Sequence, residues 1–227
     1  MEIKNLKKAA QRILTAIKDK ERIILYGDAD LDGVSSVIIL KESIRNLGGN
    51  VFGIYFPDRE KEGYGLNEKS LETLKNSAPA LLVLFDCGIS NVKEVDIAKK
   101  MLFEVVIVDH HEVLKILPKA SIIVNPKQKG DKYLFKLFAA TGIALKLSQE
   151  LFLNKMPQSL QNGFIELAAL ATLADMMPLE DENKIIVEEG LPLLKNSFRP
   201  GLQAFFLHEE FKNYKNIKER VSKIISL

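Results

Sequence analysis

Three short apolar runs in this chain each stop at an aspartate: IILYG (23–27) leads to Asp28, LLVLF (81–85) to Asp86 and VVIV (105–108) to Asp109. Nothing else in the sequence narrows the fold so far. Aliphatic runs of this length without polar alternation read as strands covered on both faces, which is the burial found in parallel sheets. VFGIYF (51–56) and SIIV (121–124) are two further strand candidates of the same kind. Helical stretches at 34–47 and 91–102 lie between the runs, giving the strand–helix alternation of an α/β domain. The carboxyl ends of parallel strands share one edge, and ligands bind in the crevice there, so the aspartates are expected to converge.

The flanks read differently. Ile3, Leu6, Ala10, Ile13, Leu14 and Ile17 fall at helical spacing with lysines between, predicting an amphipathic helix that lies on something else. After the last strand the chain is mostly helical, at 137–152, 161–175 and 183–196, with Pro157, Pro178 and Pro200 near the breaks. The expected organisation is an N-terminal amphipathic helix in 1–20, an α/β domain in 21–205 and the start of a connecting helix in 206–227. That last stretch ends in VSKIISL without a capping or turn signal, and reads as cut from, or one module of, a longer protein.

Composition excludes several classes. With 227 residues, 47% hydrophobic and 27% charged, the chain can bury a substantial core, which argues against disorder. No apolar run is long enough to span a bilayer, and the N-terminus MEIKNLKKAAQRIL lacks a signal-peptide core, so no membrane partner and a cytoplasmic location are expected. A single cysteine, Cys87, excludes an internal disulfide framework or a cysteine zinc cage, and its place at a strand end reads as packing. A net charge of +2 gives no global signal for nucleic acid, although a local basic surface stays open. Repeats and low-complexity segments are absent.

The chemistry is concentrated at the expected sheet edge. GDADLDG places Asp28, Asp30 and Asp32 within five residues, and His110 and His111 follow Asp109 directly. So many carboxylates in one crevice must protonate, spread into solvent or bind cations, because an unpaired buried charge is costly. An oxygen-rich set with imidazole and no thiolate suits manganese, with magnesium as the alternative, better than structural zinc. Five or six ligands exceed the needs of one ion, and two divalent ions form the usual clamp for phosphoester hydrolysis. The competing readings are an EF-hand loop, helix caps and a core histidine. An EF-hand needs a glutamate at the twelfth loop position, where Ile39 stands, and a helix before the loop, where a strand is expected. A lone aspartate at a strand end is more often a cap than a ligand, which holds for Asp28 taken singly but not for the set.

VDHHE (108–112) resembles the signature of the DHH phosphoesterase superfamily, and other motifs follow in family order. GDADLDGVSS (27–36), FDCGIS (85–90) and ATLADMMPL (171–179) resemble its metal-binding motifs, and PDREKEGYGLN (57–67) with NPKQKGDKYLFKLFAATGIALKL (125–147) sharpen the likeness toward RecJ-like single-strand-specific exonucleases. The resemblance spans residues 20–205. It implies a parallel-sheet DHH catalytic domain with helices on both faces, then a mostly helical segment. It further implies Asp30, Asp32, Asp86, His110 and Asp175 as metal ligands, with Asp86 bridging two ions and Asp28 as an added ligand or a supporting acceptor. Asp175 follows an apolar helix and would otherwise read as a cap. Asp30, Asp32, Asp86, His110 and His111 are the expected catalytic set, with His111 and Arg59 at the substrate phosphate; the plain alternative for Arg59 is a solvated loop arginine. Asp109 is expected to hold a neighbouring backbone or imidazole. Tyr64 is read as a structural turn residue, with base stacking as the alternative. Many DHH relatives carry a histidine where Tyr26 stands, which puts one ligand of the first ion in doubt.

The activity so implied is metal-dependent hydrolysis of single-stranded nucleic acid from the 5′ end. Two other readings stay open: a phosphodiesterase or phosphatase for short oligonucleotides, cyclic dinucleotides or 3′-phosphoadenosine 5′-phosphate, and a non-catalytic DHH scaffold. Relatives carry a DHH-associated C-terminal domain that grips substrate, and contact with such a domain is expected.

Overall fold

The structure, a computed structural model, describes residues 2–153 and 155–207. The expected segment 206–227 therefore falls almost wholly outside the described residues. In chain order the elements are α1 (Leu6–Lys18), β1 (Ile23–Gly27), α2 (Leu31–Asn46), β2 (Gly53–Tyr55), α3 (Arg59–Glu62), α4 (Glu68–Leu74), β3 (Ala80–Phe85), α5 (Val92–Lys100), β4 (Phe103–Val108), β5 (Ile122–Val124), α6 (Ala140–Leu151), α7 (Gln158–Ala174), α8 (Asp181–Leu193) and α9 (Pro200–Leu207). The five strands form one parallel sheet in the order β2-β1-β3-β4-β5. β1, β3 and β4 lie at its centre, as their unbroken apolar runs require.

Alternate residues of these strands feed two separate cores, as the two-residue period of a strand dictates. Leu25, Val83, Phe85, Val106 and Val108 face α1, α2, α6 and α7, whereas Tyr26, Leu82, Leu84, Val105 and Ile107 face α4 and α5. The N-terminal helix lies on the first core with Leu6, Ala9, Ala10, Ile13 and Ala16 buried. Arg12 ties it to the sheet through Glu21 (2.6 Å) and Glu104 of β4 (2.7 Å). At the other end Arg199 reaches Glu42 of α2 (2.6 Å) and Glu166 of α7 (3.2 Å), fixing the later helices to the same layer. Helices α7 and α8 approach so closely at Gly190 that a Cβ there would sit 2.5 Å from Ala169.

Three expectations need correction. The helix expected from residue 34 begins at Leu31, because Asp30 caps it by accepting the Gly33 N–H at 2.9 Å. Gly33 is required inside the first turn, where a Cβ would lie 2.3 Å from the Asp28 carbonyl oxygen. The strand expected over 51–56 pairs only through Gly53–Tyr55, at the sheet edge. Helix α4 was not expected, although Asn67 and Ser70 form a reciprocal capping box that marks its start in the sequence.

Candidate metal centre

Strand register places the acidic residues in a row. Gly27 pairs with Phe85, Phe85 with Val108, and Val108 with Val124, so the next residues continue the ladder side by side. Their amides do so literally: Asp28 donates to the Phe85 carbonyl (3.2 Å), Asp86 to that of Val108 (3.1 Å) and Asp109 to that of Val124 (3.0 Å). Asp86 has φ 59°, a left-handed conformation that is costly for a residue with a Cβ and that recurs at functional sites.

The loop after β1 delivers two more carboxylates. Asp30 stands at the entrance of α2; burial pushes its pKa up, but the Gly33 N–H and the Arg59 guanidinium outweigh this and hold it low. Asp32, two residues further in the first turn of α2, caps α6 from 108 residues away: it accepts N–H bonds from Ala140 (2.7 Å) and Thr141 (2.8 Å). The N-cap residue of α6, Ala139, has no side chain able to do this. Asp32, which also accepts the Thr141 hydroxyl on Oδ1, thus anchors the start of α6 while keeping one lone pair of Oδ2 for a cation.

His110 is the centre of the arrangement. Its side chain is buried, and neither Nδ1 nor Nε2 has a hydrogen-bond partner. Nε2 stands 3.3 Å from Asp86 Oδ1, 3.5 Å from Asp175 Oδ2 and 3.9 Å from Asp32 Oδ2. Asp86 Oδ1 and Asp175 Oδ2 are also buried without partners. Burial, then the neighbouring Asp32 and Asp30, push the Asp86 carboxyl up to about 10. Burial likewise raises Asp32 and Asp175, with His110 opposing it in both. Unpaired buried donors and acceptors are costly, so a cluster of them facing one point fits a cation at that point. Three groups could each hold an ion: Asp32, His110 and Asp175; Asp86, His110 and His111; and Asp28, Asp30 and Asp86. His110 occurs in the first two of them and Asp86 in the last two.

Asp109 does the supporting work expected of it. Its Oδ1 accepts the N–H groups of His110 (2.7 Å) and His111 (3.1 Å) and His111 Nδ1–H (2.8 Å), and its Oδ2 accepts that of Ile89 (3.0 Å). Burial alone would raise Asp109, but these bonds hold it low, and the same contact raises the pKa of His111. With Nδ1 engaged, Nε2 of the half-exposed His111 is the nitrogen left for a ligand.

Arg59 is not a solvated loop arginine. It opens the short helix α3, whose N-cap is Asp58, and its Nε and Nη2 donate to both oxygens of Asp28 (3.1 and 2.9 Å) while Nη2 also reaches Asp30 (2.7 Å). Its guanidinium lies 4.9 Å from the ring centroid of Tyr64, which is 74% exposed and so is not a buried turn plug. Asp28, expected as an added ligand or a supporting acceptor, accepts both of these arginine bonds and also belongs to the group with Asp30 and Asp86. Tyr26 is fully buried and turned away from the cluster: its hydroxyl donates to the Gly65 carbonyl (2.9 Å) and its ring stacks on Tyr55. Here the tyrosine braces the EGYGL segment in place of any ligand. Asp28, Tyr64, Asp86, Asn91, His111 and Glu112 are among the residues around an adjoining cleft of about 260 Å³.

The family model described as the DHH family, N-terminal domain, matches residues 22–172. The chain belongs to the DHH family. Among similar DHH proteins, the single-stranded-DNA-specific exonuclease RecJ of Bacillus subtilis is 42% identical over 202 residues, covering 89% of this chain and 25% of that protein. A crystal structure of exonuclease RecJ bound to manganese superposes with a TM-score of 0.85 at 28% identity, covering 99% of this chain and 56% of the other. RecJ of Thermus thermophilus in complex with Mn2+ gives 0.79 at 26% identity, over 99% of this chain and 32% of the other. The DHH domain described here thus spans a quarter to about half the length of the relatives it matches. The parallel sheet with helices on both faces is the fold of that domain. None of the described helices is long and apolar enough to cross a membrane.

Proposed function

We propose that this chain is the catalytic module of a RecJ-like exonuclease that cleaves phosphodiester bonds of single-stranded DNA from the 5′ end, with residues 21–205 as the catalytic domain. The observation that carries this reading is His110, a buried imidazole whose unpartnered Nε2 faces the carboxylates of Asp32, Asp86 and Asp175 within a DHH fold. Two divalent ions fit the donor set, manganese first and magnesium as the alternative. Asp32, His110 and Asp175 would hold one, and Asp28, Asp30 and Asp86 would hold the other, with Asp86 also within reach of His110. When bound, such ions polarise a phosphoryl oxygen and lower the pKa of an attacking water.

The chain's own residues supply the rest. Asp109 fixes His111 with Nε2 outward, so that a raised-pKa imidazole faces the cleft as a donor to a non-bridging phosphate oxygen. Arg59, whose Nε and Nη2 are engaged by Asp28 and Asp30, has Nη1 left for a phosphate, and Tyr64 offers an exposed ring on which a base can stack. A cytoplasmic location accords with DNA as substrate.

The test is release of mononucleotides from 5′-phosphorylated single-stranded DNA in manganese, comparing wild type with Asp86→Ala. Release by wild type alone supports the reading. Equal release by both overturns the placement of the centre, and hydrolysis restricted to dinucleotides moves the substrate to short oligonucleotides.

A further inference from the structure

The two sides of the acidic cluster are neutralised unequally. Around Asp28 and Asp30, Arg59 makes three charge-assisted bonds of 2.7 to 3.1 Å and is braced by Tyr64. Around His110, four buried atoms lack partners: both imidazole nitrogens, Asp86 Oδ1 and Asp175 Oδ2. A cation does lie on that side, Lys127, but its ammonium is bound to Glu112 at 2.9 Å.

A divalent ion drawn to Asp28, Asp30 and Asp86 must therefore displace a guanidinium that already holds both oxygens of Asp28 and one of Asp30. An ion drawn to Asp32, His110 and Asp175 meets no such competitor and engages lone pairs that have no hydrogen-bond partner. We infer that Arg59 is a built-in counter-cation for the Asp28/Asp30 side, so that the two ions bind in order: the first at His110, the second only against Arg59. This rests on the two-ion reading above. The Arg59 side chain is 31% exposed, so it can turn outward into solvent when an ion takes its place.

The experiment is a Mn2+ titration of the metal-free chain, read by the loss of the free-ion electron paramagnetic resonance signal and by calorimetry, for wild type, Arg59→Met, Arg59→Lys and His110→Ala. Wild type should show two classes of site. Arg59→Met should tighten the weaker class by about tenfold or more, the worth of charge-assisted bonds removed, and move the tighter class by no more than about threefold. Arg59→Lys, which keeps the charge but loses the fork, should fall between. Without metal, Arg59→Met should melt lower than wild type and recover with Mn2+; if it fails to fold without metal, the lysine variant carries the comparison. Unchanged or weakened second-site affinity in the arginine variants overturns the inference. If His110→Ala keeps both classes intact, the two-ion reading itself fails, a separate outcome.

Discussion

The two sides of the metal centre solve the same electrostatic problem by different means. On the Asp28/Asp30 side the charge is met inside the protein, by Arg59 and the Gly33 N–H. On the His110 side the carboxylates crowd an imidazole with no partner, and the energy of that crowding is relieved only by something from outside. The first arrangement is self-sufficient and the second is incomplete. A site's incompleteness is the better guide to what it binds, because folding does not leave several buried polar atoms unpaired at one point without compensation.

The sharpest way to break this contrast is to remove its centre. His110→Ala or Asp86→Ala should lower manganese-dependent nuclease activity by on the order of a thousandfold, measured as initial rates on single-stranded DNA. A loss of less than about tenfold in both would mean the unpaired cluster is not where chemistry occurs. Asp109→Asn should come next, at about ten- to a hundredfold in activity or Mn2+ affinity, because it frees the His111 ring and weakens the amide bonds that shape the turn. An effect as large as that of His110→Ala would make Asp109 a ligand and not a support.

Stability separates the carboxylates differently. In the metal-free chain Asp32→Asn should cost about 1–3 kcal/mol in denaturant unfolding, since an amide turns a donor toward the N–H groups that now cap α6. Asp86→Asn should change stability by less than about 1 kcal/mol or raise it, because it removes a crowded acid with an unpartnered oxygen. Equal losses would mean that both are structural. The smallest expected effect is Tyr64→Ala, which takes away the ring beside Arg59 and should tighten the second ion by at most about fivefold in the same Mn2+ titration.

Much of this was readable in the sequence, for a definable reason. A strand buried on both faces has no alternation to hide in, so IILYG, LLVLF and VVIV announce a parallel sheet, and their common edge follows from topology. The acidic row at Asp28, Asp86 and Asp109 is a direct consequence. What crossed long distances in the chain was less visible. Asp32 capping α6 through Ala140 and Thr141 leaves no local pattern, nor does the meeting of Asp175 with His110, for which only the family resemblance argued. Arg59 was legible as a candidate for an anion but not as the partner of Asp28, since nothing near it in sequence says which anion it meets. Tyr26 is the opposite case: its alternation with Leu25 put it on the α4–α5 face, where its hydroxyl donates to the Gly65 carbonyl.

The most direct measurement of the central claim is anomalous X-ray diffraction at the manganese edge from crystals of this chain grown with Mn2+. One strong peak is expected within Asp32, Asp86, His110 and Asp175, and a second, of lower occupancy at limiting Mn2+, beside Asp28, Asp30 and Asp86. Manganese bound elsewhere, or no peak at His110 under saturating metal, would contradict it.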